Sequence, residues 1–335
     1  MCAIADFDYG RFYAIQNGIF SEAEQKKLKV MRVLVVGAGG AGGTIAMILA
    51  RTGFTRFTLV DFDTYSLSNT NRQIGCFEDT LGRYKVEVVK NEIMRINPEA
   101  QVECINRKLS LEELDNRLDE HDIYFSEADD LAYSTCSLVM AQKKQKLAIS
   151  FMPSGLTGYV MVFPQGMKRV YDPTDMFGGP EGLSYEELLS FQNDPTCRSG
   201  RRWHISQGKM RVEWYRRWCR RQAPLTQLCP AVWAGASLAA IEAVKHITGK
   251  WKKASAPRMW QLELGENRIK PVKFRRRSWL FGKYIYKAMS VKALGIGERI
   301  RMITEKSLQR DLARMEKEEA AGKSPRLPFM WKHLI

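Results

Sequence analysis

Residues 32–63 read Arg32-Val-Leu-Val-Val-Gly37-Ala-Gly39-Gly40-Ala-Gly42-Gly43, then Thr44-Ile-Ala-Met-Ile-Leu-Ala-Arg-Thr52, and, after Gly53-Phe-Thr-Arg56, Phe57-Thr-Leu-Val60-Asp61-Phe-Asp63. The run from Val33 to Val36 has no polar alternation, as a strand covered on both faces requires. Thr44–Thr52 predicts a helix, and Phe57–Val60 a second strand that ends in acid. Strand, glycine-rich turn, helix and strand together predict a Rossmann-like, doubly wound α/β domain on a mostly parallel sheet. There Gly37 permits the tight turn, Gly39 and Gly40 let the backbone approach a phosphate, and Gly42 lets helix and strand pack closely. The helix N-terminus offers unbonded N–H groups and a partial positive charge to an anion. Asp61 follows Gly37 by 24 residues, about where an acidic side chain meets a ribose hydroxyl in dinucleotide-binding folds. A turn used for packing alone would not need so many glycines, so a nucleotide is expected here.

Working outward, Ser21 with Glu24 three residues later is a capping-box signature and predicts a short helix before the first strand. Downstream stand Ser66-Leu-Ser-Asn69-Thr-Asn71-Arg72-Gln73, then Gly82-Arg-Tyr-Lys85, then Arg95-Ile-Asn-Pro98. A dehydrogenase would need nothing of this kind after the second strand. Together with the glycine turn and Asp61-Phe-Asp63, these segments resemble the ThiF/MoeB/HesA family of ubiquitin-activating-type adenylyltransferases. Its pattern is GxGGxG, DxD, SNxxRQ, GxxK and a helix ending in INP, and the resemblance covers about residues 20–274.

The resemblance implies ATP and magnesium as cofactors, and a role for each matching residue. Asp61, with Asp63 beside it, holds the ribose, while Asn69, Arg72 and the adjoining Gln73 meet the phosphates. Lys85, on a helix predicted over Lys85–Ile96, stabilises charge developing around the α-phosphate, the kind of electrostatic contribution that is often largest. The strand Asp122-Ile-Tyr-Phe leads into Ser126-Glu-Ala-Asp129-Asp130. Asp129 matches the family's magnesium ligand, with Asp130 a near rival where asparagine is common and Ser126 where an acid is usual. Arg11, in Tyr9-Gly-Arg11, matches an arginine that reaches the partner subunit's ATP, which implies a homodimer. Without the motifs, Arg72 and Lys85 would be a surface basic pair and Asp129-Asp130 a strand end.

The second half follows the family more loosely. Ala148–Ser150 and Gly158–Phe163 predict strands. Pro230 followed by small residues and Glu242-Ala-Val-Lys245 resembles the family's closing helix, with Gly249 as its stop. Between them, residues 164–223 form an irregular crossover region. Cys197 and Cys219 lie there beside arginines that would lower a thiol pKa, and idle cysteine is the alternative for each. The paired CxxC of many family members is missing, so no zinc is expected. Arg211–Arg221 sets Trp214, Tyr215 and Trp218 among five arginines. That mixture suits RNA, or else an amphipathic helix with its aromatic stripe turned inward. A further helix is predicted from Glu298 to Lys317. The expected organisation is an N-terminal arm at 1–30, an adenylation domain at 31–274 and a basic helical appendix at 275–335.

Charge sharpens the question of the partner. The 335-residue chain carries +15, with 45% hydrophobic and 27% charged residues, ordinary globular values that exclude wholesale disorder and membrane bundles. Residues 1–200 sum to −6 and residues 201–335 to +21. A polyanionic partner or a solvated basic face would each account for the asymmetry. Seven scattered cysteines, no secretory signal and no apolar stretch of spanning length point to a cytoplasmic protein without a transmembrane segment. The expected reaction is adenylylation of a carboxylate, by resemblance that of a peptide or small ubiquitin-like carrier protein, with release of pyrophosphate. An acidic peptide would suit the basic half. Three alternatives stand beside it: carboxylate activation and cyclisation in a ribosomal peptide natural product, ATP-dependent dehydration of tRNA threonylcarbamoyladenosine, and a non-catalytic nucleotide-binding scaffold. Asn69-Thr-Asn-Arg-Gln-Ile74 resembles the tRNA branch closely.

Overall fold

A computed structural model describes residues 7–174, 182–192, 210–219, 222–273, 306, 309–310 and 312–322. The apolar run becomes β1 (Arg32–Val36), which pairs in parallel with β2 (Arg56–Val60) and β4 (Ile123–Ser126). Outside these, β3 (Gln101–Ile105) pairs with β2 and β5 (Leu147–Ser154) with β4, both in parallel. Beyond β5 the pairing reverses, and β6 (Thr157–Phe163), β7 (Arg258–Glu263) and β8 (Arg268–Lys273) follow as antiparallel neighbours. The eight strands form one sheet in the order β3-β2-β1-β4-β5-β6-β7-β8. The expected fold is therefore present, with its antiparallel portion at one end.

β1 lacks polar alternation because both of its faces are covered. Val33 and Val35 enter one core, Leu34 and Val36 the other. The helices are α1 (Tyr9–Phe12), α2 (Glu22–Val30), α3 (Gly42–Thr52), α4 (Lys85–Ile96), α5 (Leu111–Glu120), α6 (Leu131–Lys143), α7 (Tyr185–Phe191), α8 (Val212–Cys219) and α9 (Cys229–Thr248). α3, α4 and α9 build the first core, and α5 and α6 the second. Ser21 and Glu24 cap α2 reciprocally, as their spacing predicts, and Gly249 ends α9 in the left-handed region at φ 76°. α9 approaches β5 closely because its face is small: a Cβ on Gly235 would lie 2.0 Å from Phe151 Cζ.

Two attachments lie outside the sheet. Tyr9 Oη donates to the Gly53 carbonyl at 2.6 Å and Tyr13 Oη to that of Ala50 at 2.7 Å, so the N-terminal arm is tied to the end of α3. Met210 and Val212, at the start of α8, share a small buried cluster with Leu312 and Met315 of a helical stretch at 312–320. Trp214 and Trp218 pack against it while Arg217 stays exposed, the inward-facing alternative for this segment. Among the described residues no helix is long and apolar enough to cross a membrane.

Candidate functional site

Helices leave β1 and β4 toward opposite faces of the sheet, which opens a crevice beyond the carboxyl ends of these strands. The glycine turn builds its floor. Gly37 has φ 96°, and a Cβ there would fall 2.5 Å from the Glu127 carbonyl. A Cβ on Gly42 would fall 1.8 Å from the Gly37 carbonyl, so only glycine lets α3 start this close to β1. Ala41 occupies the N-cap and supplies no side-chain acceptor. The Gly43 N–H is already bonded to the Gly39 carbonyl at 3.0 Å, so what the turn offers an anion is mainly the partial positive charge of the helix start and its close backbone approach.

The crevice is a cavity of about 610 Å³, within the usual range for small-molecule sites. Gly37, Gly39, Gly40, Asp61, Asp63, Arg72, Gln73, Lys85, Asp129 and Asp130 all line it. Asp61 Oδ2 accepts the N–H of Ala38 at 2.7 Å and Oδ1 that of Asp63 at 2.9 Å, which joins the end of β2 to the glycine turn. Burial pushes the Asp61 carboxyl above its ordinary value, partly offset by these N–H groups and by Lys85. Lys85, 6% exposed at the start of α4, places Nζ 2.7 Å from Asp63 Oδ2.

Arg72 is held through its neighbours. Its Nη1 donates to the Ser68 carbonyl at 3.0 Å and to Asn71 Oδ1 at 2.7 Å. Its own carbonyl accepts Trp233 Nε1 of α9 at 3.0 Å. Arg72 Nε and Gln73 Oε1 are buried without a hydrogen-bond partner among the described residues. Unsatisfied groups at a cavity wall are met by ordered water or by a polar ligand. Asp130 caps α6 through the N–H groups of Ala132 and Tyr133, and its Oδ2 accepts Lys108 Nζ at 3.1 Å. Asp129 is exposed at the same strand end, so of the two it is the better placed to take a cation.

Three expected residues lie elsewhere. Asn69 is not in the cavity wall, and its Oδ1 accepts the N–H of Ser66 at 3.0 Å, closing a turn that carries Arg72. Gly42 acts beneath the wall, through packing. Arg11 is exposed on α1, outside this cavity. Cys197 lies outside the described residues, and Cys219 is on α8 with its side chain outside them. Glu127, Lys108 and Trp233 were not singled out from sequence. Glu127 Oε1 accepts the Phe151 N–H at 2.9 Å and ties the end of β4 to β5. Burial drives its carboxyl well above the ordinary value, against the pull of that N–H, with the charge of Asp129 adding to the rise. The signal for Glu127 lay in the quoted acidic strand end, whereas Trp233 has none, since its target is distant in sequence.

The sequence profile of the ThiF family matches residues 13–279. The molybdopterin-synthase adenylyltransferase of Escherichia coli (strain K12) is 41% identical over 108 residues, 32% of this chain and 43% of that protein. The tRNA threonylcarbamoyladenosine dehydratase of Haemophilus influenzae is 32% identical over 123 residues, 37% of this chain and 47% of that protein. The matches thus span less than half the length of these curated relatives. Among solved structures, E. coli MccB with ATP superposes with a TM-score of 0.55 at 20% identity, over 76% of this chain and 67% of that one. PaaA gives 0.58 at 20% identity, over 82% and 76%. These two likenesses show a shared fold.

Proposed function

Because the chain belongs to the ThiF family, we propose that it activates a substrate carboxylate by adenylylation, with ATP and magnesium, releasing pyrophosphate. The observation that carries this reading is the convergence of the glycine turn, Asp61, Arg72, Gln73, Lys85 and Asp129 on one cavity. A substrate carboxylate oxygen forms a bond to the α-phosphorus as the bond from that phosphorus to the pyrophosphate oxygen breaks. The products are an acyl adenylate and pyrophosphate. Asp61 accepts from a ribose hydroxyl, and the N-terminus of α3 and the side chains of Arg72 and Gln73 take the phosphates. Lys85 neutralises charge as it develops at the α-phosphate.

Asp129 fits a magnesium ion shared with the nucleotide, since Mg²⁺ is usually held by one or two carboxylates plus substrate phosphates. Among the described residues no group of three or more His, Cys, Asp or Glu side chains forms an all-protein metal site. When bound, the ion would offset charge on the phosphate oxygens. Arg11, exposed and outside the cavity of its own chain, would meet a nucleotide only across a homodimer. The acceptor best supported is a protein or peptide carboxylate: one relative is named for molybdopterin synthase, and MccB has been solved with selenomethionine-bearing MccA.

Acceptor-dependent pyrophosphate exchange tests the reading. Exchange on adding a carrier protein or peptide supports it. ATP binding with neither exchange nor hydrolysis from any carrier, peptide or tRNA would leave a nucleotide-binding scaffold. The dehydratase relative and the +21 charge of residues 201–335 favour tRNA as the second reading. Salt-sensitive retention of tRNA, without carboxylate-dependent exchange, would select it.

A further inference from the structure

The cavity wall is wider than the residues expected to meet a nucleotide. Between α6 and the β5–β6 pair the same cavity is lined by Thr135, Leu138, Ser150, Met152, Tyr159 and Met161, termed its inner lobe. The antiparallel register sets Ser150 opposite Met161 and Met152 opposite Tyr159. Strand alternation puts all four on one face, the one whose core includes Leu138 of α6. Thr135 and Leu138 are three residues apart on α6 and so share a helix face.

The lobe mixes apolar walls with hydroxyls. Thr135 is 1% exposed, and its Oγ1 has no hydrogen-bond partner among the described residues. A hydroxyl buried unpaired costs free energy that an arriving partner would recover. Tyr159 Oη is anchored by Gln261 Nε2 at 3.2 Å, which fixes the far wall. These six residues are uncharged, and the charged residues of the cavity lining, Asp61, Arg72, Lys85 and Asp129 among them, lie outside α6, β5 and β6, although Glu127 bonds the β5 backbone at Phe151. A charged group entering the lobe would lose water without gaining a counter-charge.

We propose that this lobe seats the side chain of the substrate residue whose carboxylate is activated, and selects a short side chain ended by an uncharged hydrogen-bonding group. The inference rests on the adenylylation reading and deepens it. Thr135 Oγ1 and Ser150 act as specificity-determining contacts, and the methionines and Leu138 enclose the aliphatic part. The carboxylate is then left pointing back toward Arg72, Lys85 and the α-phosphate.

Pyrophosphate exchange by the full-length chain with two isosteric acceptors, N-acetylthreonine and N-acetylvaline, tests it, with ATP binding followed by calorimetry. N-acetylthreonine is expected to exchange about tenfold faster, the scale of one hydrogen bond. Thr135→Val, and independently Ser150→Ala, should bring that ratio toward one. Thr135→Val should also melt at a higher temperature than the parent, because it removes the unpaired hydroxyl. Equal exchange, preference for N-acetylvaline, or a ratio unmoved in both variants overturns the proposal. So does exchange with a carrier protein or peptide but with neither N-acetyl residue, since a built subsite should take the free residue. ATP binding with no exchange from any acceptor, or no ATP binding at all, would instead sink the adenylylation reading itself.

Discussion

Lys85 and Asp63 form a close pair whose members differ in exposure: the lysine side chain is 7% exposed and the aspartate 51%. Asp63 is therefore well screened, and the pair holds the lysine in place more than it stabilises the fold. Lys85→Ala should lower acceptor-dependent exchange by about 10²–10³, the loss seen when one preorganised charge partner is removed. Asp63→Asn should cost no more than about tenfold, because it removes the charge partner that positions the lysine while keeping a polar side chain at the cavity wall. Measuring kcat and KM for both variants checks the split. A second residue contributes to stability in acid. Burial, with Lys253 and Lys245 nearby, holds His246 down to about 4, and its Nε2 is buried without a partner among the described residues. Its folded value lies below the unfolded one of about 6.5. The contribution is therefore present above pH 6.5 and lost as pH falls toward 4. After a discount for partial exposure the loss is about 1–2 kcal/mol. His246→Leu should flatten that part of the curve of melting temperature against pH.

The glycine turn and α3 act as one element. Gly42→Ala would drive a Cβ into the Gly37 carbonyl, so α3 must retreat from β1. The expected cost is about 1–3 kcal/mol or more, with loss of ATP affinity, both readable by denaturant titration and calorimetry. This element was legible from sequence because its constraints are local: glycines at fixed spacing, an apolar run covered on both faces, and a helix beginning where the run ends. The box at Ser21 and Glu24 was legible for the same reason. The turn at 66–73 was legible only in part. Its residues match the family, but Asn69 serves the turn itself rather than the cavity wall. Arg72 is held by Trp233 from α9, a contact between segments far apart in sequence that no local spacing can announce.

For the whole molecule, the cluster of Met210, Val212, Leu312 and Met315 is separate from the two large cores. Leu312→Ala should therefore speed amide exchange in α8 while leaving protection in β1 and β4 unchanged, as expected when a peripheral unit opens independently. Hydrogen exchange followed by mass spectrometry checks it. Charge acts at this scale as well. If the +21 of residues 201–335 recruits an acidic peptide, its affinity should fall steeply between 50 and 200 mM salt. Affinity for ATP should fall less, because that site is partly enclosed. Taken alone, the sequence determined the doubly wound sheet, the glycine turn after β1 and the helix that follows it. Each follows from periodicity, glycine sterics or a spacing of a few residues. Only the tertiary structure decided which of the expected site residues share a wall, that Arg11 lies apart from them, and that Thr135, Ser150 and Tyr159 meet in one lobe. Those relations depend on strand order, register and helix packing, which join positions that no local pattern links.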